Sequence, residues 1–185
     1  MFIGDSKTLG SPYNLDTGGF QTPLVDYLGG AGAGVYNVGA LAAGSKTVAA
    51  TLADFPAFAA AYSGDDPHYV LVNLGTNDMS DIRLGTLTEG AWVMDDLLDA
   101  IHAEWPSAQI RLTRPIRTDY VPEMTALNDT WIPNVLASRS AWAAVGADER
   151  EFLIGANIGD TTHPTPAGYI VEGRWMGWNL MGIHP

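Results

Sequence analysis

At 185 residues the chain is long enough for one domain with its own core and too short for two comfortable ones. Apolar residues at 46% against 16% charged exclude a disordered segment, and no apolar run reaches the ~20 residues that span a bilayer, so no integral membrane association is expected. A formal charge of -12 disfavours nucleic acid and anionic lipid as partners, and the lack of cysteine excludes disulfides, thiolate metal sites and cysteine nucleophiles.

Met1-Phe2-Ile3-Gly4-Asp5-Ser6 reads as a short apolar strand entering a Gly-Asp-Ser turn, which presents Ser6 at a strand end. Ser11 to Gly19 is loop-like, and Phe20 to Leu28 has helical apolar spacing until Gly29-Gly30 stops it. Val35 to Val38 is expected as the second strand, Gly39 to Ser45 as a small-residue loop, and Thr47 to Ala61 as a helix with a kink at Pro56. Tyr69 to Leu74 is the strongest strand signal, β-rich and nearly continuous as a doubly covered parallel strand should be, and it ends on Gly75-Thr76-Asn77-Asp78. The spacing predicts a helix from Thr88 to Trp105, stopped by Pro106, and a fourth strand from Gln109 to Thr113. Arg114 to Pro122 reads as a loop and Glu123 to Val145 as mostly helical, interrupted near Pro133. Glu151 to Ile154 is expected as the fifth strand and Thr165 to Met181 as the last helix. The alternation implies one domain over residues 1–185, an α/β/α sandwich around a mostly five-stranded parallel sheet, with ligands beyond the carboxyl ends of its strands.

That edge gathers the chemistry. Ser6 follows strand one, Gly44 the second strand, Asn77 the third, and Asp160 with His163 the fifth. In Asp160-Thr161-Thr162-His163 a carboxylate precedes an imidazole by three residues, near enough to orient and charge-stabilise it. Ser6 would attack an acyl carbonyl, His163 would accept its proton and later return one to the leaving group, and Asp160 would fix the imidazole tautomer. The Ser6 backbone N–H, the Gly44 backbone N–H and the Asn77 side-chain amide are the expected oxyanion donors.

These residues resemble the SGNH hydrolases, or GDSL esterases and lipases, nearly end to end. Gly4-Asp5-Ser6 is similar to the family's first block, Gly75-Thr76-Asn77-Asp78 to its third, and Asp160 to His163 to its fifth. Lys7 stands where the family name has leucine. In the second block Asn37 is followed by both Gly39 and Gly44; Gly44 is favoured because Gly44-Ser45-Lys46-Thr47 opens the next helix, with Gly39 the alternative. The resemblance implies a flavodoxin-like fold and a serine esterase, without metal or organic cofactor, acting on small acyl esters, including acetyl groups on sugars, with short-chain lipid esters and thioesters as neighbours.

Other features have plainer readings. His68, His102 and His184 share no ligand spacing, so they read as structural or exposed and no metal site is expected. Asp5 and Asp78 suit turn bracing, and Trp92, Trp105, Trp175 and Trp178 suit the core. Trp131 and the loop bearing Arg114 and Arg117 are the candidates for substrate contact, because that loop follows strand four on the binding edge. A P-loop reading of Gly39 to Thr47, and with it nucleotide binding, is disfavoured because Ser45 separates Lys46 from Gly44; a non-catalytic carbohydrate-binding module is the other alternative. No Gly-x-Ser-x-Gly elbow of an α/β-hydrolase occurs. No signal peptide precedes the first strand, which leaves cytoplasmic residence and secretion after trimming both open, and oligomeric state is not legible.

Overall fold

The structure, a computed structural model, describes residues 1–10, 19–30 and 40–181. In chain order its strands are β1 (Phe2–Gly4), β2 (Ala40–Ala42), β3 (Tyr69–Asn73), β4 (Gln109–Arg114) and β5 (Ala143–Asp148). Its helices are α1 (Ser6–Leu9), α2 (Gln21–Gly30), α3 (Val48–Ala61), α4 (Met79–Arg83), α5 (Met94–Glu104), α6 (Val121–Ala126), α7 (Ile132–Ala137) and α8 (Pro166–Met181). All strand pairs are parallel, in the order β2-β1-β3-β4-β5. Chain order reverses between β1 and β3, so the crevice of this doubly wound sheet opens where those two strands end.

Successive side chains of the inner strands point to opposite faces, and both faces are covered. Ile3, Val70, Val72, Ile110 and Leu112 pack with Val48 and Phe55 of α3, Leu97, Leu98 and Ile101 of α5, and Ile132 and Leu136 of α7. On the reverse face Phe2, Leu71 and Ala147 meet Phe20, Leu24 of α2, and Tyr169 and Met176 of α8. Trp92 and Trp105 are buried, as their helical stripe predicts, and Trp105 meets Phe55 and Tyr62 edge-on at 5.6 and 5.7 Å. Each such pair contributes about 0.5–1.5 kcal/mol beyond the apolar area it buries.

The structure differs from the sequence expectations at several places. The expected strand Val35 to Val38 lies outside the described residues, while Ala40–Ala42, read as part of a loop, is β2. The expected fifth strand Glu151 to Ile154 is a 3-10 turn and a loop whose Phe152 and Leu153 plug the α2/α8 face. The fifth strand lies instead at Ala143–Asp148, inside the region expected to be helical to Val145. Its Ala- and Gly-rich sequence carries no intrinsic β signal; pairing with β4 decides it, and a Cβ on Gly146 would lie 3.1 Å from the Thr113 backbone nitrogen. Helical structure runs instead from Val121 to Ala137, and its irregularity is a π-helical turn at Leu127–Trp131, just before Pro133, whose ring cannot donate to the ladder. α3 continues through Pro56.

Candidate active site

The turn between β1 and α1 fixes Ser6. Asp5 caps α1 by accepting from the Lys7 backbone N–H at 3.0 Å, which is the bracing role its sequence suggests. Ser6 is nearly buried, and its Oγ lies 2.9 Å from Nε2 of His163, 157 positions away. His163 sits on a loop closed by a bridge between Ile158 and Pro164 and by the Gly159 N–H donating to the His163 carbonyl at 2.7 Å. Inside that loop Asp160 Oδ1 accepts the backbone N–H groups of Thr162 and His163, both at 2.7 Å, while Oδ2 lies 2.9 Å from His163 Nδ1.

This arrangement sets charge and tautomer. Burial, the largest single influence on Asp160, pushes its pKa up, but the His163 backbone N–H, the His163 ring and the Thr162 N–H together outweigh it and hold the carboxyl below its ordinary value. An ionised carboxylate only accepts, so Nδ1 carries the hydrogen and Nε2 is left as an acceptor facing the Ser6 hydroxyl. The result is a hydrogen-bonded chain from serine to carboxylate, poised to take a proton from Ser6 Oγ.

Asn77 lies in the Thr76–Asp78 turn, which follows β3 through Gly75 at φ 110°, a conformation suited to glycine, where a Cβ would also come within 2.8 Å of Leu127. Its amide donates to the Lys46 carbonyl at 2.9 Å and to Asp5 Oδ2 at 3.3 Å. Asn77 therefore ties the Ser6 turn to the Gly44-Ser45-Lys46 segment that leads from β2 into α3. Gly44 is exposed, with open space where a Cβ would point, and Ser45 takes a positive φ of 59°. Gly39 lies outside the described residues. Asp78 is buried and accepts from the Val48 backbone N–H at 3.3 Å; burial, only partly offset by that N–H, raises its pKa to about 6.

Of the residues expected to contact substrate, the structure brings Arg117 to this edge. Its guanidinium reaches the Thr76 carbonyl at 3.4 Å and lies over the Tyr120 ring, and the next residue, Thr118, donates its N–H to Thr161 at 2.8 Å. Arg114 faces its cross-strand partner Asp148 at 3.7 Å. The expectation for Trp131 is corrected: it is 8% exposed and packs on Trp92 with ring centroids 5.8 Å apart, because the π-helical turn directs it into the core. His102 stacks on Trp142 at 4.2 Å, His68 is exposed, and His184 lies outside the described residues. Lys46, the lysine of the P-loop reading, pairs with Asp54 on α3. Among the described residues no helix is long and apolar enough to cross a membrane.

Sequence reasoning missed a second set of polar groups beneath Ser6. Lys7, Asn73, Glu149 and Glu172 are all fully buried, and Lys7 Nζ donates to Glu149 Oε2 at 2.5 Å. Two signals were available: a lysine directly after the serine, and Glu172 one turn from both Tyr169 and Met176 on the buried stripe of the last helix.

Residues 1–175 match the family described as GDSL-like Lipase/Acylhydrolase. No curated protein matches the sequence. Among solved structures, the family 3 carbohydrate esterase of Clostridium thermocellum is similar at 19% identity with a TM-score of 0.76, over 98% of this chain and 94% of that one. TesA is similar at 20% identity with a TM-score of 0.74, over 97% of each chain. The psychrotrophic esterase EstA from Pseudoalteromonas sp., solved inhibited by monoethylphosphonate, is similar at 16% identity with a TM-score of 0.71, over 98% of this chain and 95% of that one.

Proposed function

The chain belongs to the GDSL-like lipase/acylhydrolase family, and with it to the SGNH ester hydrolases; from that premise we propose that it cleaves short acyl esters, acetyl esters of saccharides foremost, through a Ser6 acyl-enzyme. The observation that carries the reading is the unbroken chain from Ser6 Oγ to His163 to Asp160, each link 2.9 Å. Ser6 Oγ attacks the carbonyl carbon while its proton passes to Nε2, and the carbonyl π electrons move onto oxygen. The oxyanion takes hydrogen bonds from the Ser6 and Gly44 backbone N–H groups and from Asn77. The 3.3 Å contact of Asn77 with Asp5 is the weaker of its two, and it is the one exchanged for the oxyanion while Lys46 keeps the amide in place. Collapse expels the alcohol, which leaves with the proton from Nε2. Water, deprotonated by the same nitrogen, then releases the acid and restores Ser6.

The similar structures of family 3 carbohydrate esterases motivate the saccharide acetyl substrate. Arg117 is assigned to the alcohol part of the substrate, a role supported by its reach to the Thr76 carbonyl and by the hydrogen bond of the next residue, Thr118, to Thr161 of the His163 loop. The test is turnover of aryl esters of increasing acyl length and of acetylated saccharides, beside Ser6→Ala. Rates should fall as the acyl chain lengthens, acetate should be released from the saccharides, and the alanine variant should lose both. Undiminished turnover by Ser6→Ala would overturn the mechanism; equal rates across the acyl series would overturn the short-acyl assignment.

A further inference from the structure

A buried lysine next to a nucleophile needs a reason, because withdrawing an ammonium from water costs several kcal/mol and a buried ion pair is weak evidence for stability. Lys7 has no exposed surface, nor has Glu149, its partner at 2.5 Å. The carboxylate of Glu149 is shared further. Its Oε1 accepts from Asn73 Nδ2 at 2.8 Å, and its Oε2 also accepts from the Ile116 backbone N–H at 2.8 Å. Glu149 itself follows β5, Lys7 follows β1, Asn73 ends β3, and Ile116 follows β4. One carboxylate therefore gathers the carboxyl ends of four strands of the five-stranded sheet.

Each arm leads directly to part of the site. Lys7 is adjacent to Ser6. Asn73 runs through Leu74, Gly75 and Thr76 to Asn77. Ile116 precedes Arg117 and Thr118, and Thr118 holds the Thr161 carbonyl inside the Asp160–His163 loop.

We propose that Lys7 and Glu149 are positioning residues, whose buried ion pair sets Ser6 in register with Asn77 and with the His163 loop. The inference rests on the Ser6 reading. The charged groups around the pair are Asp5 on the β1–α1 turn and Glu172 on α8, whose Oε1 takes a longer bond from Asn73 at 3.4 Å. Burial, followed by the charge of Glu149, pushes the Glu172 carboxyl well above its ordinary value. For Lys7, burial pulls downward, but Glu149, Asp5 and Glu172 together raise it and keep it cationic. Burial likewise raises the Asp5 carboxyl, so both carboxyl groups beside the pair are disfavoured as further anions.

The test compares wild type, Lys7→Met, Glu149→Gln and the double variant Lys7→Leu/Glu149→Gln, which leaves neither charge buried alone. Sites are counted by stoichiometric labelling with a fluorophosphonate, folding is followed by circular dichroism, and kcat and KM are measured on a short aryl ester. The expected result is a native spectrum in the double variant with kcat per labelled site at least about tenfold lower and KM changed by less than about threefold. Wild-type kcat per labelled site in the double variant would overturn the proposal and leave the pair a purely structural element. Should the double variant not fold, Glu149→Gln is judged by the same criterion. Slow labelling with a native spectrum supports positioning; labelling lost only in step with the native spectrum overturns it. Ser6→Ala separates the two readings, because its continued activity sinks the nucleophile assignment whatever the pair does.

Discussion

Replacing Asp160 by asparagine isolates the orientation of the imidazole from everything else in the site. The retained Oδ1 already accepts two backbone N–H groups at 2.7 Å, so the loop keeps its shape and the new amide nitrogen is forced to face His163 Nδ1. Two donors then confront each other across 2.9 Å unless the ring moves its hydrogen to Nε2, where it points at Ser6 Oγ and can no longer accept the proton. The side chains of His163 and Asp160 are 22% and 38% exposed, so lost charge attraction contributes no more than about 1 kcal/mol. Loss of the correct tautomer dominates: about 10⁴-fold in kcat, or about 5.4 kcal/mol of transition-state stabilisation. The assay is kcat and kcat/KM on p-nitrophenyl acetate across pH, with thermal unfolding alongside. Asp160→Asn should be low throughout the pH range, with an unfolding midpoint near that of wild type. An asparagine variant keeping more than about one tenth of wild-type kcat at neutral pH would refute the reasoning.

Two further outcomes follow from groups outside the serine–histidine–aspartate chain. Asp78 has its pKa raised from its ordinary 3.8 to about 6, chiefly by burial. Between about pH 4 and 6 the folded chain keeps this proton while the unfolded chain has released it, so stability drops as pH rises through that window and the cost, at most about 3 kcal/mol, persists above it. Asp78→Asn should therefore unfold at a higher temperature than wild type at pH 8, with the difference gone near pH 4; equal differences at both values would exclude this account. Gly168 of α8 lies so close to the Asn157 carbonyl that an added Cβ would meet it at 1.9 Å, and that carbonyl also accepts from Thr165 N at the base of the His163 loop. Gly168→Ala should cost about 1–3 kcal/mol in denaturant unfolding and lower kcat as well, through displacement of the loop; an unchanged midpoint would show that the helix shifts freely.

The candidate site residues were legible because each stands beside a local signal. Ser6 follows an apolar strand, Asn77 follows the most β-rich run in the chain, and Asp160 and His163 are close enough in sequence to be read as one unit. The element boundaries that failed are those where composition and packing disagree. Ala143 to Asp148 has helix-forming alanines that lie in the sheet because β4 offers a partner, and Glu151 to Ile154 looks like a strand only because Phe152 and Leu153 are needed to fill a face. Trp131 failed for a related reason: a tryptophan beside a proline gives no sign of which way a π-helical turn will point it.

Alternation of strands and helices, with polar residues collected at strand ends, was determined by the sequence itself, since hydrophobic periodicity and turn chemistry are local properties of a chain. What lies beneath Ser6 was decided by tertiary structure alone. In the sequence Lys7 is visible only as a lysine where the family name has leucine, yet the fold buries it completely and gives it Glu149 from 142 positions away. No local pattern joins Lys7 to Glu149, because the pair's cost and its compensation come from elements that meet only once the sheet has formed.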